Sequence, residues 1–376
     1  MIKTTIVVDA IIFEIQKRGG ISRIYKEILP RICDLDDSIK IKIFSSGRVL
    51  QPLPKHSNLE YSEVFDIRKI GRRNRMLHTS AQKIFEQLIR YRFDNGSKSI
   101  WHSTYFTYVS NWQGPVVVTV HDMIYEQFPD LFNRKYDQFF KNQKRKCILQ
   151  ADIVICDSIA TRDDVCQYLG IQQDRCEVIY PAYNQKFHLI DHDQMELFAL
   201  SKGPYILFVG KRSMHKNFSS LLRAYHQWDD HKRVRLVIVG NDPFTEDESR
   251  LLNKLSIHDR IDFIENPTDE KLCVLYNGAL AFIYPSLHEG FGIPLLEAMS
   301  CGCPIVASDI PSTLEVAKDV PIYFKPEDVD QLVAALTEVI SEGRNSKRVE
   351  HGFKVVIEYS WKKTASETLE VYHSLT

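Results

Sequence analysis

The sequence predicts an α/β protein of two doubly wound domains, each built on a parallel sheet. Length is the first reason: 376 residues exceed one ordinary core and suit two domains of roughly 150 to 200 residues each. The second is a recurrence of short runs rich in Val and Ile between helical patterns. TTIVVDAII, IKIFSS, SIWHSTYF, PVVVTVHD, ADIVICDS and CEVIYPAY come first, then PYILFVG, VRLVIVG, IDFIEN, LAFIYPS and PIVASD. Near-continuous apolar strands alternating with helices belong to parallel sheets covered on both faces. The third is a polar, non-periodic stretch, NQKFHLIDHDQMELFALSKG, between the two series. It sets domains over 1–182 and 204–359 with a linker at 183–203.

The N-terminal MIKTTIVVDAIIF reads as a first buried strand, because Asp9 interrupts it and no small-residue cleavage site follows. At the other end SWKKTASETLEVYHSL offers Ser360 as an N-cap and apolar residues at helical spacing through Tyr372, a terminal helix over 360–376. The composition, 44% hydrophobic and 26% charged, is that of a globular chain without a membrane span. A formal charge of -1 excludes global capture of nucleic acid, so anion recognition must be local. Eight scattered cysteines without a C-x-x-C pair argue against a disulfide framework or metal site and fit a reducing cytoplasm.

In open parallel sheets ligands bind beyond the carboxyl ends of the strands, and the informative residues lie in such loops. After LAFIYPS comes LHEGFGIPLLEAMSCG. Pro294 suits the first turn of a helix running to about Ser300, since its missing N–H would have no partner there. The amides of Gly292 through Leu295 would then form an anion site at the helix N-terminus. Glu297, one turn in, is placed to accept from vicinal hydroxyls such as those of a ribose, and Glu289 from a second polyol. The same pair would also serve as a helix-dipole partner and a solvated loop residue. After PYILFVG the loop KRSMHKNF brings Lys211, Arg212, His215 and Lys216. These cations could neutralise a diphosphate without a metal, there being no clustered aspartates, or could form a plain solvated basic loop.

With these stretches the chain resembles the family 4 retaining glycosyltransferases of the GT-B fold, of the bacterial polysaccharide and O-antigen type. The resemblance rests on Glu289 and Glu297 in EGFGIPLLE, the E-x7-E signature, and on GGISR, TVHD, FVGK with HKN, and YPSLHEGFGIPLLEAMSCGCPIVASD. It implies two Rossmann-like domains facing a central cleft, the first for the acceptor and the second for the nucleotide sugar. The terminal helix would return to the first domain. It assigns Glu297 to the ribose, Glu289 to the transferred sugar, and Gly290, Phe291, Gly292, Ile293, Pro294 and Leu295 to the sugar and diphosphate. Lys211 and Lys216 become the cationic pair. Family members carry arginine directly after the strand's glycine, whereas here Lys211 precedes Arg212, so either can face the phosphate.

In the first half, Gly19 and Gly20 of KRGGISRIYKEILPRI open a helix. The resemblance puts them near the donor diphosphate; a mere turn is the plainer reading. His121 and Asp122 end PVVVTVHD, and by resemblance His121 lies near the reacting sugar, with Asp122 orienting it or meeting an acceptor hydroxyl. Trp101, His102, Tyr105 and Phe106 could form an acceptor platform or pack the core. Residues 68–92 carry eight Lys or Arg and one acidic residue. Beside helically spaced apolar positions they suit peripheral contact with an anionic membrane or a helix with a solvated basic side.

The activity so implied is transfer of a hexose, mannose first, from a GDP- or UDP-linked sugar to a saccharide or lipid-linked saccharide acceptor. No cofactor, metal or nucleic acid enters, and the location is cytoplasmic, with or without contact to the inner membrane face. A GT-B sugar-nucleotide 2-epimerase and a non-catalytic nucleotide-sugar-binding relative are the alternatives. The E-x7-E spacing and the HKN loop favour transfer.

Overall fold

The computed structural model describes residues 4–45, 49–63, 84, 86–93, 99–132, 134–191 and 203–376. By its contacts the chain divides into one unit of residues 1–181 with 360–376 and a second of 182–359. Most of the linker segment and most of the basic 68–92 run lie outside the described residues. Among the described residues no helix is long and apolar enough to cross a membrane.

The first unit is built on β1 (Thr4–Asp9), β2 (Ile39–Ser45), β3 (Leu59–Glu63), β4 (Ser99–Ser103), β5 (Val116–Val120), β6 (Ile153–Cys156) and β7 (Cys176–Val178). They form one sheet in the order β3-β2-β1-β4-β5-β6-β7, every pairing parallel. Every residue of β4 and β5 is buried, as expected of strands covered on both faces. Val7, Trp101, Val118 and Val154 anchor the core. Trp101 stacks on Phe44 at 5.4 Å and Phe106 is buried, so neither belongs to an acceptor platform. Tyr105 packs on Phe140 at 5.2 Å.

The second unit holds β8 (Tyr205–Val209), β9 (Arg235–Gly240), β10 (Ile261–Glu265), β11 (Ala281–Tyr284), β12 (Ile305–Ser308) and β13 (Ile322–Phe324). Their order is β10-β9-β8-β11-β12-β13, again all parallel. Ile206, Leu221, Leu236, Ile283 and Leu336 lie in its core. Two strands, β3 and β13, fall where no apolar run marked one; both are sheet edges.

The terminal helix Trp361–Ser374 is capped by Ser360, whose side chain accepts from the Lys363 amide. It packs on the helix Gly20–Leu35 of the first unit. Thr364 Oγ1 donates to the Tyr180 carbonyl at 2.7 Å. Tyr372 and His102 share a buried hydrogen bond of 2.6 Å, and the other ring nitrogen of His102 meets Thr119 Oγ1 at 2.9 Å. Burial, then the neighbouring His121, push the His102 imidazole down to about 3. It is therefore a neutral ring in a network of hydroxyls, and not part of an acceptor platform. Tyr372→Phe should cost about 1–3 kcal/mol, the penalty for leaving a buried polar atom unpaired. A urea titration measures it, and an unchanged midpoint would show that the ring does not depend on the terminal helix.

Candidate functional site

In the second unit the chemistry-bearing residues follow β8 and β11, neighbours in the sheet. Beyond β8 the chain makes a short 3-10 turn, Met214–Lys216, and Asn217 takes a left-handed conformation before the helix Phe218–Gln227. Asn217 donates to the Pro326 carbonyl at 2.6 Å and accepts from Ser220 Oγ at 2.6 Å, fixing the corner that aims Lys216. Beyond β11 the loop is tied to that turn by the Leu287 amide, which donates to the His215 carbonyl at 2.7 Å.

This brings two predicted residues together. Lys216 Nζ donates to Glu289 Oε1 at 2.5 Å, with the side chains only 19% and 12% exposed. The ammonium also sits 5.5 Å from the centre of the Tyr284 ring, a buried residue that the sequence reading passed over. Burial works to raise the Glu289 carboxyl, but Lys216 and His215 outweigh it and hold the group below its ordinary value. The Tyr284 phenol is pushed up, by burial and then by Glu289.

The helix Ile293–Ser300 begins one residue before Pro294, after Gly292 at φ +118°. That left-handed backbone suits glycine, and a Cβ there would come within 3.0 Å of Leu295 Cδ1. The amide row differs from expectation: Leu295 N already donates to the Gly292 carbonyl at 2.9 Å, and Pro294 has no N–H. Gly290, Phe291, Gly292, Ile293 and Leu295 are buried and Pro294 is half-buried. The Phe291 ring packs on Tyr359 at 5.7 Å. Glu297, 5% exposed, accepts from the Tyr276 hydroxyl at 3.2 Å. Tyr276 comes from the helix Asp269–Gly278 and is a second supporting residue that the sequence reading missed.

Arg212 is a correction to the cationic set. Its Nε donates to Glu248 Oε1 at 3.0 Å, and its NH2 donates to the Asp242 and Pro243 carbonyls, each at 2.7 Å. The guanidinium lies 4.8 Å from the Phe244 ring centre and 5.2 Å from that of Phe263, leaving the side chain 4% exposed. A planar cation stacked on aromatics and bonded to carbonyls is a structural clamp, whereas Lys211 is exposed.

In the first unit, His121 and Asp122 follow β5. His121, 6% exposed, shares a hydrogen bond of 2.8 Å with Asp157 Oδ2, a residue not singled out in the sequence. Asp122 Oδ1 accepts from the Ile124 amide at 3.1 Å, starting the short helix Ile124–Gln127, and its charge acts on the His121 ring. Beneath it Lys144 donates to the Asp122 carbonyl and to Glu126 Oε2, each at 2.7 Å, as a buried ion pair. Asp9, at the end of β1, was also missed. It accepts from Ser103 Oγ at 2.9 Å and from the hydroxyl of Thr104, while burial raises its carboxyl. Gly19 and Gly20 are exposed at the opening of the helix Gly20–Leu35. A Cβ on Gly19 would meet the far end of the Gln16 side chain.

Two stability predictions follow from this geometry. Arg212→Ala should destabilise the protein by about 3 kcal/mol through an orphaned partner charge, and Lys211→Ala by no more than about 0.5 kcal/mol. Equal effects in urea unfolding would refute the clamp. Glu289 has a depressed folded-state pKa, so its stabilisation is present above the unfolded value of about 4.3 and lost as pH falls through the folded value. The stability gap between wild type and Lys216→Ala should therefore be wide at neutral pH and narrow in acid. A gap independent of pH would contradict the ion pair.

Comparison with known proteins bears on the family and the fold. Residues 40–187 match the family model described as Glycosyltransferase Family 4, and 191–352 match Glycosyl transferases group 1. The O-antigen chain mannosyltransferase B of Escherichia coli is 23% identical across 95% of this chain and 96% of its own length. The O-antigen chain mannosyltransferase RfbU of Salmonella typhimurium is 28% identical across 59% of this chain and 60% of its own length. Among solved structures, a sucrose-phosphate synthase from Thermosynechococcus elongatus superposes with a TM-score of 0.78 at 17% identity, covering 99% of both chains. Two parallel-sheet α/β units, matched in turn by the two family models, make this chain a member of the family 4 glycosyltransferases, enzymes of the GT-B fold.

Proposed function

We propose that this glycosyltransferase, acting in surface polysaccharide synthesis, moves mannose from GDP-mannose to a hydroxyl of a saccharide or lipid-linked saccharide, with retention of configuration. The observation that carries the reading is the buried Lys216–Glu289 pair at the carboxyl ends of β8 and β11, beside a helix that opens on a left-handed glycine. The names of the two O-antigen relatives support mannose. UDP-linked glucose is the alternative donor.

In this reading Lys216, with Lys211 as the exposed cation, meets the diphosphate and stabilises the charge that develops as it leaves. A diphosphate is a stronger anion than one carboxylate, so donor binding draws the Lys216 ammonium from Glu289. The freed carboxylate then accepts from hydroxyls of the transferred sugar. Glu297, held by Tyr276, accepts from the ribose hydroxyls. His121 serves the transferred sugar, and the leaving phosphate itself takes the acceptor proton in a front-face transfer. The backbone at Gly290 to Ile293 supports the sugar and diphosphate. The segment 68–92 supplies peripheral contact with anionic lipid, measurable by cosedimentation with anionic vesicles; equal recovery with neutral vesicles would remove that part of the reading.

The decisive assay is release of nucleoside diphosphate from a panel of nucleotide sugars with and without saccharide acceptors, followed by NMR of the product's anomeric linkage. Glu289→Gln and Lys216→Ala should each lower transfer by about 100-fold or more, and near-normal turnover of either would refute the assignment. A ribose role for Glu297 has its own signature. Glu297→Gln should weaken GDP binding by roughly 10-fold, as for one lost charged hydrogen bond, yet leave 2′,3′-dideoxy-GDP binding nearly unchanged. Equal losses for both nucleotides would place Glu297 elsewhere.

A further inference from the structure

The pairing of β5 with β6 sets Val120 opposite Cys156, so the next residues, His121 and Asp157, emerge side by side at the carboxyl edge of the sheet. Their side chains are 6% and 8% exposed. An ionised carboxylate only accepts hydrogen bonds, so the 2.8 Å contact requires a proton on Nδ1 of His121. The other nitrogen, Nε2, is buried without a hydrogen bond.

Several elements pack on this ring. Tyr25, from the helix Gly20–Leu35, meets it edge-on at 6.3 Å, and His102 reaches it from β4. Asp122 follows it in the chain. The titratable groups facing His121 are therefore Asp157, Asp122, His102 and Tyr25. Burial works to lower its pKa, but Asp157, then Asp122 and the Thr104 carbonyl, outweigh burial and raise it. Its neighbour His102 differs only in its partners: two hydroxyls, which can donate or accept, leave that imidazole neutral.

We infer that Asp157 is a positioning residue for His121, binding Nδ1–H and thereby fixing the orientation of the ring and the place of Nε2 at the loop edge after β5. The inference deepens the proposed function and rests on its assignment of His121 to the transferred sugar. There a ring held in one orientation meets a sugar hydroxyl through Nε2. Without Asp157 the ring loses the hydrogen bond that fixes it and the carboxylate that raises its pKa.

The test has a spectroscopic arm and a kinetic arm. In protein carrying 15N-labelled histidine, long-range proton–nitrogen spectra resolve the two nitrogens of each ring, and His121→Gln identifies the His121 signals. In wild type Nδ1 should carry a proton at neutral pH, and the ring should titrate above an ordinary histidine. In Asp157→Asn the ring should lose its second proton at least about one pH unit lower, a tenfold change in protonation equilibrium. With GDP-mannose as donor, Asp157→Asn should lower kcat on the order of 10-fold and shift the pH profile toward acid, with little change in KM. Asp157→Glu should recover part of both.

A wild-type His121 lacking the Nδ1 proton overturns the inference, and needs no variant to fold. So does a His121 titration unchanged in Asp157→Asn. If the titration moves as expected while His121→Gln transfers mannose at the wild-type rate, the pairing stands and the assignment of His121 to the sugar falls.

Discussion

A parallel strand buried on both faces has no room for charge along its length, and the rest of this protein follows from that constraint. In β4, β5 and β11 every position is buried. Charged groups collect where the strands end: Asp9 closes β1, His121 follows β5, Asp157 follows β6, and the loops after β8 and β11 deliver Lys216 and Glu289. Strands that all point one way put these ends on one edge of each sheet. The chemistry is thus placed by topology before any side chain is chosen.

Being near the sheet edge exposes these groups less than their positions suggest. Glu289, Glu297, His121 and Asp9 are all largely or fully removed from water, and each is held by a named partner: Lys216, Tyr276, Asp157 and the Ser103–Thr104 hydroxyls. Desolvation makes each group costly alone and strongly responsive to its neighbour. His102 and His121, one strand apart, show how far that response goes: burial, then His121, push the first down, while the Asp157 carboxylate outweighs burial and raises the second. In the second unit an acid and a base neutralise each other within a half-buried loop.

Much of this was legible in the sequence. Apolar runs marked every interior strand because burial on two faces demands them. Two of the four edges, β7 and β10, were marked as well, but the other two were not: β3 buries mainly Leu59, and β13 is three residues long, too short for a pattern. Gly292 and Pro294 located the opening of the Ile293–Ser300 helix, and Ser360 the terminal cap, since backbone geometry restricts those residue types. Contacts that join distant segments were not legible. Asp157 looked like any residue before a helix cap until the β5–β6 register placed it beside His121. Arg212 looked like a phosphate ligand because the aromatic rings around it come from Phe218, Phe244 and Phe263, each on a different stretch of chain. Tyr276 and Tyr284 read as core aromatics, and only their hydroxyls tie them to the glutamates.

The terminal helix sets an order of events when the chain is made. The second unit is made of residues 182–359 alone, whereas the first lacks Ser360–Thr376 until synthesis has passed that helix. A domain generally folds once its sequence has emerged. The unit encoded later can therefore be complete first, while the earlier one waits with His102 lacking Tyr372 and the Gly20–Leu35 helix lacking its cover. A ribosome stalled near the last helix would hold a finished second unit joined to a first one with an open flank, the species most in need of a chaperone.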